Sequence, residues 1–227
     1  MRRTQLITDV GPFERHLWEA IALNRERAPL YAEVSSGESR SLSRLLIAAE
    51  WLLLPVARWF DREAAPYHRA GVPLLEAVFV PMSGAPAFGS VHLAAADAVR
   101  TTSPDPSGIR QHVRRAYREA SFTGAREAIA DEVHRLMPLG GSYLARHLLE
   151  SAHRVASLAP DLITQSLERG LPSPERILAR LLWLHLWGLT PAHSLDNRAG
   201  TLHARRIPIL AQDLPPIPIS RETDAWP

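Results

Sequence analysis

An all-α protein is predicted here: a multi-helix bundle or orthogonal helix array followed by an extended proline-rich C-terminal tail. Three features lead to that expectation. Apolar residues make up 46% of the 227 residues and recur at helical spacing over long stretches. Prolines and glycines stand between those stretches, where helices would stop and start. In the tail, Ile207–Ile219 alternates prolines with aliphatic residues, which favours polyproline II over any packed element.

Pro12 and Glu14 open the first helix, expected to run to about Arg27, with Pro29 as its stop. Ser35–Ser39 reads as a loop, and Ser39 or Ser41 as the cap of a second helix over about 41–60. Pro55 lies inside that helix and crowds the carbonyl of Trp51, so a kink is expected. Gly71 to Met82 fits either a short helix or an extended piece around Val78-Phe79-Val80, and Met82–Ser90 is loop-like.

Helices are expected at about 90–101, 108–121 and 124–136, with the breaker Ser103–Gly108 between the first two. Pro138–Gly141 then turns the chain into a helix over 142–158, forming an antiparallel hairpin. Pro160 reads as the start of a further helix that Gly170 ends. Ser173-Pro174-Glu175 combines a capping serine, a proline and an acid, and starts a helix ending near Trp187. Beyond Gly188, the prolines at 191, 208, 215, 216, 218 and 227 are expected to break up the chain. The organisation expected is one helical domain over 1–203 and a tail over 204–227.

All 26 basic residues are arginines, set against 24 acids, for a net charge of +2. So small a surplus does not indicate a nucleic-acid partner. The absence of cysteine removes disulfides, thiolate metal sites and cysteine nucleophiles, and fits a reducing cytoplasm. Met1–Leu6 is basic but leads into no apolar run of the secretory kind. The most apolar segments, Leu45–Phe60 and Ile177–Leu189, are too short to cross a bilayer, and Glu50, Arg58, Arg180 and His185 interrupt them.

Asp131-x-x-His134 and Glu150-x-x-His153, with Glu127 beside the first, have the spacing of carboxylate–histidine metal ligands on helices. Helical projection opposes them to the apolar stripes Ala125, Ile129, Val133, Leu136 and Leu144, Leu148, Ala152, Val155. They are therefore expected to face water, where no metal centre is built. Arg110, Arg114, Arg115 and Arg118 likewise read as a solvated face, and His68 beside Tyr67 as a surface pair at a loop edge.

Polar groups inside helices that are apolar all round carry more chemistry. Glu50 projects among Leu46, Leu53, Leu54 and Ala57. His185 projects among Leu178, Leu181 and Leu182, and Arg180 near Trp183, Leu184 and Trp187. If these two helices pack together at the centre, Glu50 could meet Arg180 or His185 as an acid–base pair. Trp51, Trp59, Trp183 and Trp187 would line the pocket around it. The plainer alternative is a buried ion pair that only satisfies the core.

No nucleophile elbow, phosphate loop or dinucleotide fingerprint is present, and no motif names a cofactor. The function expected is a small-molecule enzyme or binding protein that takes an apolar ligand in a tryptophan-lined pocket. A homodimeric interaction module using the tail and a helical metal-dependent oxidoreductase are the alternatives.

Overall fold

The computed structural model describes residues 10–34, 37–79, 122–136 and 143–203. Its regular elements are all helices: α1 (Pro12–Val34), α2 (Gly37–Arg69), α3 (Thr123–Leu136), α4 (Tyr143–Glu168), α5 (Glu175–Trp187) and α6 (Leu189–His203). No strand occurs among the described residues. The expected helices over 90–101 and 108–121, the arginine cluster at 110–118 and the tail from 204 onward lie outside them.

α1 and α2 form an antiparallel hairpin, held by three pairs whose residue numbers sum to nearly the same value. The Asp61 carboxylate accepts the N–H groups of Phe13 and Glu14, at 3.0 and 2.9 Å. Arg58 forms a 2.9 Å ion pair with Glu14, and Asn24 donates to Glu50. α4 is the hub of the other half and packs against α3, α5 and α6. Asp196 of α6 reaches back to the start of α4 and accepts the N–H groups of Leu144 and Ala145, both at 2.9 Å. Ala199 and Leu202 of α6 pack on Leu42 and Leu46 of α2, which joins the last described helix to the hairpin.

Two helices end in the same way. Gly71 (φ +79°) and Gly170 (φ +70°) occupy the left-handed position after α2 and α4. The next residues, Val72 and Leu171, donate to Tyr67 and Ser166, while the glycines donate to His68 and Leu167. This pair of bonds satisfies carbonyls that the helix end would otherwise leave open.

Prolines interrupt less than expected. α1 continues past Pro29 to Val34, and α2 carries both Pro55 and Pro66 over 33 residues. Pro160 does not start a helix; it lies within the 26-residue α4. Ala156, Ala159 and Leu162 are buried on both sides of it, so an unbroken helix keeps core packing that a break would lose. Pro191 sits in the first turn of α6, where a missing N–H has no intrahelical partner to lose.

Candidate functional site

Segment 70–79 connects the two halves through Phe79. The Phe79 ring stacks on Phe13 at 4.1 Å and 11°, lies 5.4 Å from His16, and stacks on His185 at 6.1 Å and 19°. Two bonds hold the segment in place. His68 Nε2 accepts the Leu75 N–H at 3.0 Å, and Arg154 of α4 donates its Nε–H to the Ala77 carbonyl at 2.7 Å. His68 is therefore a half-buried structural acceptor rather than part of a surface pair, and Tyr67 is buried. A loop edge is the expectation for this pair because the second helix is expected to end near residue 60, whereas α2 runs to Arg69 and the 70–79 segment, which has no helical period, returns over His68.

Beside Phe79 lies a cleft of about 210 Å³ lined by Pro12, Arg15, His16, Glu19, Glu76 and Phe79. The first four are spaced 0, 3, 4 and 7 along α1 and so share one face of that helix. Glu76 and Phe79 supply the opposite wall. Arg15 donates from one terminal nitrogen to the Val10 carbonyl at 3.4 Å, while its buried Nε–H has no hydrogen-bond partner among the described residues. Behind the cleft, the His16 and His147 rings stack at 6.4 Å and 3°.

His185, buried and not part of the cleft lining, stacks on Phe79. Its Nδ1 lies 2.8 Å from the Leu181 carbonyl, which can only accept, so Nδ1 carries a proton. Burial pushes its pKa down to about 4; the Leu181 bond opposes this and nearby His16 adds to it. Burial also lowers the pKa of His68, against the pull of Glu76 and Asp61.

The sequence candidates take up separate positions. Glu50 meets Asn24 of α1. Arg180 lies over the Trp59 ring at 5.2 Å, and this is where α5 touches α2. His185 turns to its own helix and to Phe79. Trp51 is 44% exposed, set edge-on to Trp18 at 5.0 Å and beneath Arg25 at 5.8 Å. Trp187 is 62% exposed and pairs with Trp183 at 6.2 Å. Of the four tryptophans expected around one pocket, Trp59 is the one joined to Arg180. α2 is also not buried all round, since Leu45 and Leu52 face outward.

One expectation is reversed. Glu150 is 1% exposed and His153 is buried, so neither faces water. The projection assumed a single packing partner, whereas α4 has three. Glu150 pairs with Arg146 at 2.6 Å, and His153 lies 3.5 Å from Ser157. Asp131 is exposed, and the side chain of His134 lies outside the described residues. Among the described residues no group of three or more histidines and acids is placed to hold a metal ion. Nor is any helix there long and apolar enough to cross a membrane.

The α1 wall of the cleft is present in the sequence as Pro12, Arg15, His16 and Glu19 at helical spacing, but nothing singles it out there, because such a mixed polar face is what a solvated helix also shows. Comparison of the chain with family models, curated proteins and solved structures finds no match.

Proposed function

We propose that the protein binds a small zwitterionic metabolite in the cleft between α1 and segment 70–79. This keeps the small-molecule function expected from the sequence but moves it away from the tryptophans and replaces an apolar ligand with a charged one. The observation that carries it is Arg15, whose buried Nε–H is without a hydrogen-bond partner in the cleft wall. A buried donor left without a partner costs about 1–3 kcal/mol, and an anionic ligand oxygen would recover it. Glu19 and Glu76 line the same cleft and suit a ligand cation. The volume is below the roughly 300–1,000 Å³ of sites for drug-sized ligands, so the ligand is small. His16, at the cleft wall, is the group placed to exchange a proton with it.

The test is ligand-observed NMR and calorimetry with free amino acids, dicarboxylates and polyamines. Amino acids should bind saturably, and Arg15→Gln should weaken them by about tenfold or more, the value of one charge-assisted bond. No saturable binding in any of the three classes, or equal binding by Arg15→Gln, would remove the proposal.

A further inference from the structure

The outer side of α2 departs from what a helix in a two-helix hairpin needs. Its inner side is accounted for, since Leu42, Leu46, Leu54, Ala57, Phe60 and Ala64 are buried. On the outer side Leu45, Ala48, Ala49, Leu52 and Pro55 are all exposed, and Leu52 is 78% exposed. At 100° per residue these five fall within roughly a third of the helix circumference and form one continuous apolar stripe. Along one edge of the stripe run Arg40, Arg44, Trp51, Arg58 and Arg62, all exposed. Arg25 of α1 adds a further cation above Trp51. From residue 40 to residue 62, no exposed residue of α2 is acidic. The face extends roughly 33 Å at 1.5 Å per residue.

We infer that this face of α2 docks on an anionic membrane surface and lies in the plane of the headgroups. An interfacial helix needs leucines that enter the acyl boundary, a tryptophan at headgroup level, and arginines that meet anionic headgroups. All three are aligned on this side of α2. The charge pattern favours a lipid surface over a second copy of the chain. Antiparallel twofold pairing of this face would set the arginine row of one copy beside that of the other, so like charges would meet. A membrane supplies the opposite charge along the whole length. Leu52, 78% exposed, stands well out from the helix, which suits insertion into a lipid surface. This inference is independent of the cleft beside Phe79, which draws on α1 and segment 70–79.

The test uses the full chain with vesicles of phosphatidylcholine alone and of phosphatidylcholine mixed with phosphatidylglycerol. Because the protein has no cysteine, Leu52→Cys supplies a single site for an environment-sensitive fluorophore. Sedimentation with the anionic vesicles but not the neutral ones, together with a blue shift of the probe only when they are added, is the expected result. Arg44→Gln and Arg62→Gln should each weaken binding about fivefold, the equivalent of about 1 kcal/mol per arginine near an anionic surface. Both residues are exposed, and circular dichroism melting checks that the variants fold. Arg58 is left intact because it pairs with Glu14. Three results overturn the inference. The first is no sedimentation with either vesicle. The second is a probe already in an apolar setting before vesicles are added, which would mean that another part of the chain covers the face. The third is light scattering of a dimer that Leu52→Glu dissociates, which would assign the face to a second copy.

Discussion

Gly11 packs directly against Asp61: a Cβ at Gly11 would collide with the Asp61 side chain. This contact lets the carboxylate come in under the first turn of α1 and accept the N–H groups of Phe13 and Glu14. A residue late in α2 thus caps the start of α1, and the loop between the helices need not set their register alone. Burial raises the Asp61 pKa, and its two backbone bonds only partly offset that.

Asp61→Ala should therefore cost about 0.5–2 kcal/mol, the usual value of an N-cap. Gly11→Ala should cost more, because it displaces the carboxylate and also forces the backbone of α1 outward. The two effects should be strongly non-additive, with Gly11→Ala much milder once Asp61 is alanine. Urea denaturation of the four proteins in the cycle measures this; simple additivity would show that the contact is not what holds Gly11.

Asp196 plays the same part for α4 in a drier setting. It has no solvent exposure and accepts the N–H groups of Leu144 and Ala145. Bonds to a charged acceptor are worth about 1.5–3 kcal/mol each, so Asp196→Ala should destabilise the protein more than Asp61→Ala. Hydrogen exchange gives a local check. The amides of Leu144 and Ala145 should lose protection first in Asp196→Asn, and unchanged exchange there would contradict the capping role.

The legible parts of the fold were those decided locally. Ser173-Pro174-Glu175 marks the start of α5 within two residues, although Pro174 rather than Ser173 takes the cap position, without a side-chain cap bond. Gly170 marks the end of α4, because a proline in the first turn and a left-handed glycine act on their nearest neighbours. Pro29, Pro160 and Pro191 were misleading because a proline's cost depends on what the rest of the helix gains by continuing. Glu150 and His153 were misplaced for a related reason: projection sees one helix and not the three around α4. Half of the cleft lies on one face of α1, formed by Pro12, Arg15, His16 and Glu19, yet nothing in the sequence marks that face as a site. Its other wall, Glu76 and Phe79, arrives from an aperiodic segment some sixty residues later, and no spacing rule connects the two.

Gly71 and Gly170 provide a test of backbone conformation alone. Among the described residues little stands near either position: nothing lies within 4 Å of a Cβ at Gly170, and the Arg169 Nε lies at 4.0 Å from one at Gly71. Alanine at either site should then cost about 1–2 kcal/mol through its positive φ and nothing through crowding. Asparagine, which tolerates that region better, should cost less than alanine at both sites. Thermal denaturation giving alanine and asparagine equal effects would argue against the left-handed cap.

The buried histidines set the response to acid. Burial takes His185 from 6.5 to about 4, and burial lowers His68 as well. Each is neutral in the fold, with one ring nitrogen committed: Nδ1 of His185 to the Leu181 carbonyl, and Nε2 of His68 as acceptor of the Leu75 N–H. In the unfolded chain both take up a proton near pH 6.5, so between there and about pH 4 the unfolded state binds more protons than the folded one. Stability is then fully present above about pH 6.5 and is lost as pH falls, with His185 alone accounting for on the order of 3 kcal/mol. Asp61, whose folded pKa is raised above 3.8 by burial, acts in the opposite sense, adding stability as pH falls, and cannot produce this loss. His185→Phe keeps a planar ring against Phe79 and removes the titration. Its urea midpoint should therefore fall distinctly less than that of the wild type between about pH 7 and pH 4.5. Parallel falls in the two proteins would transfer the acid sensitivity to groups other than His185.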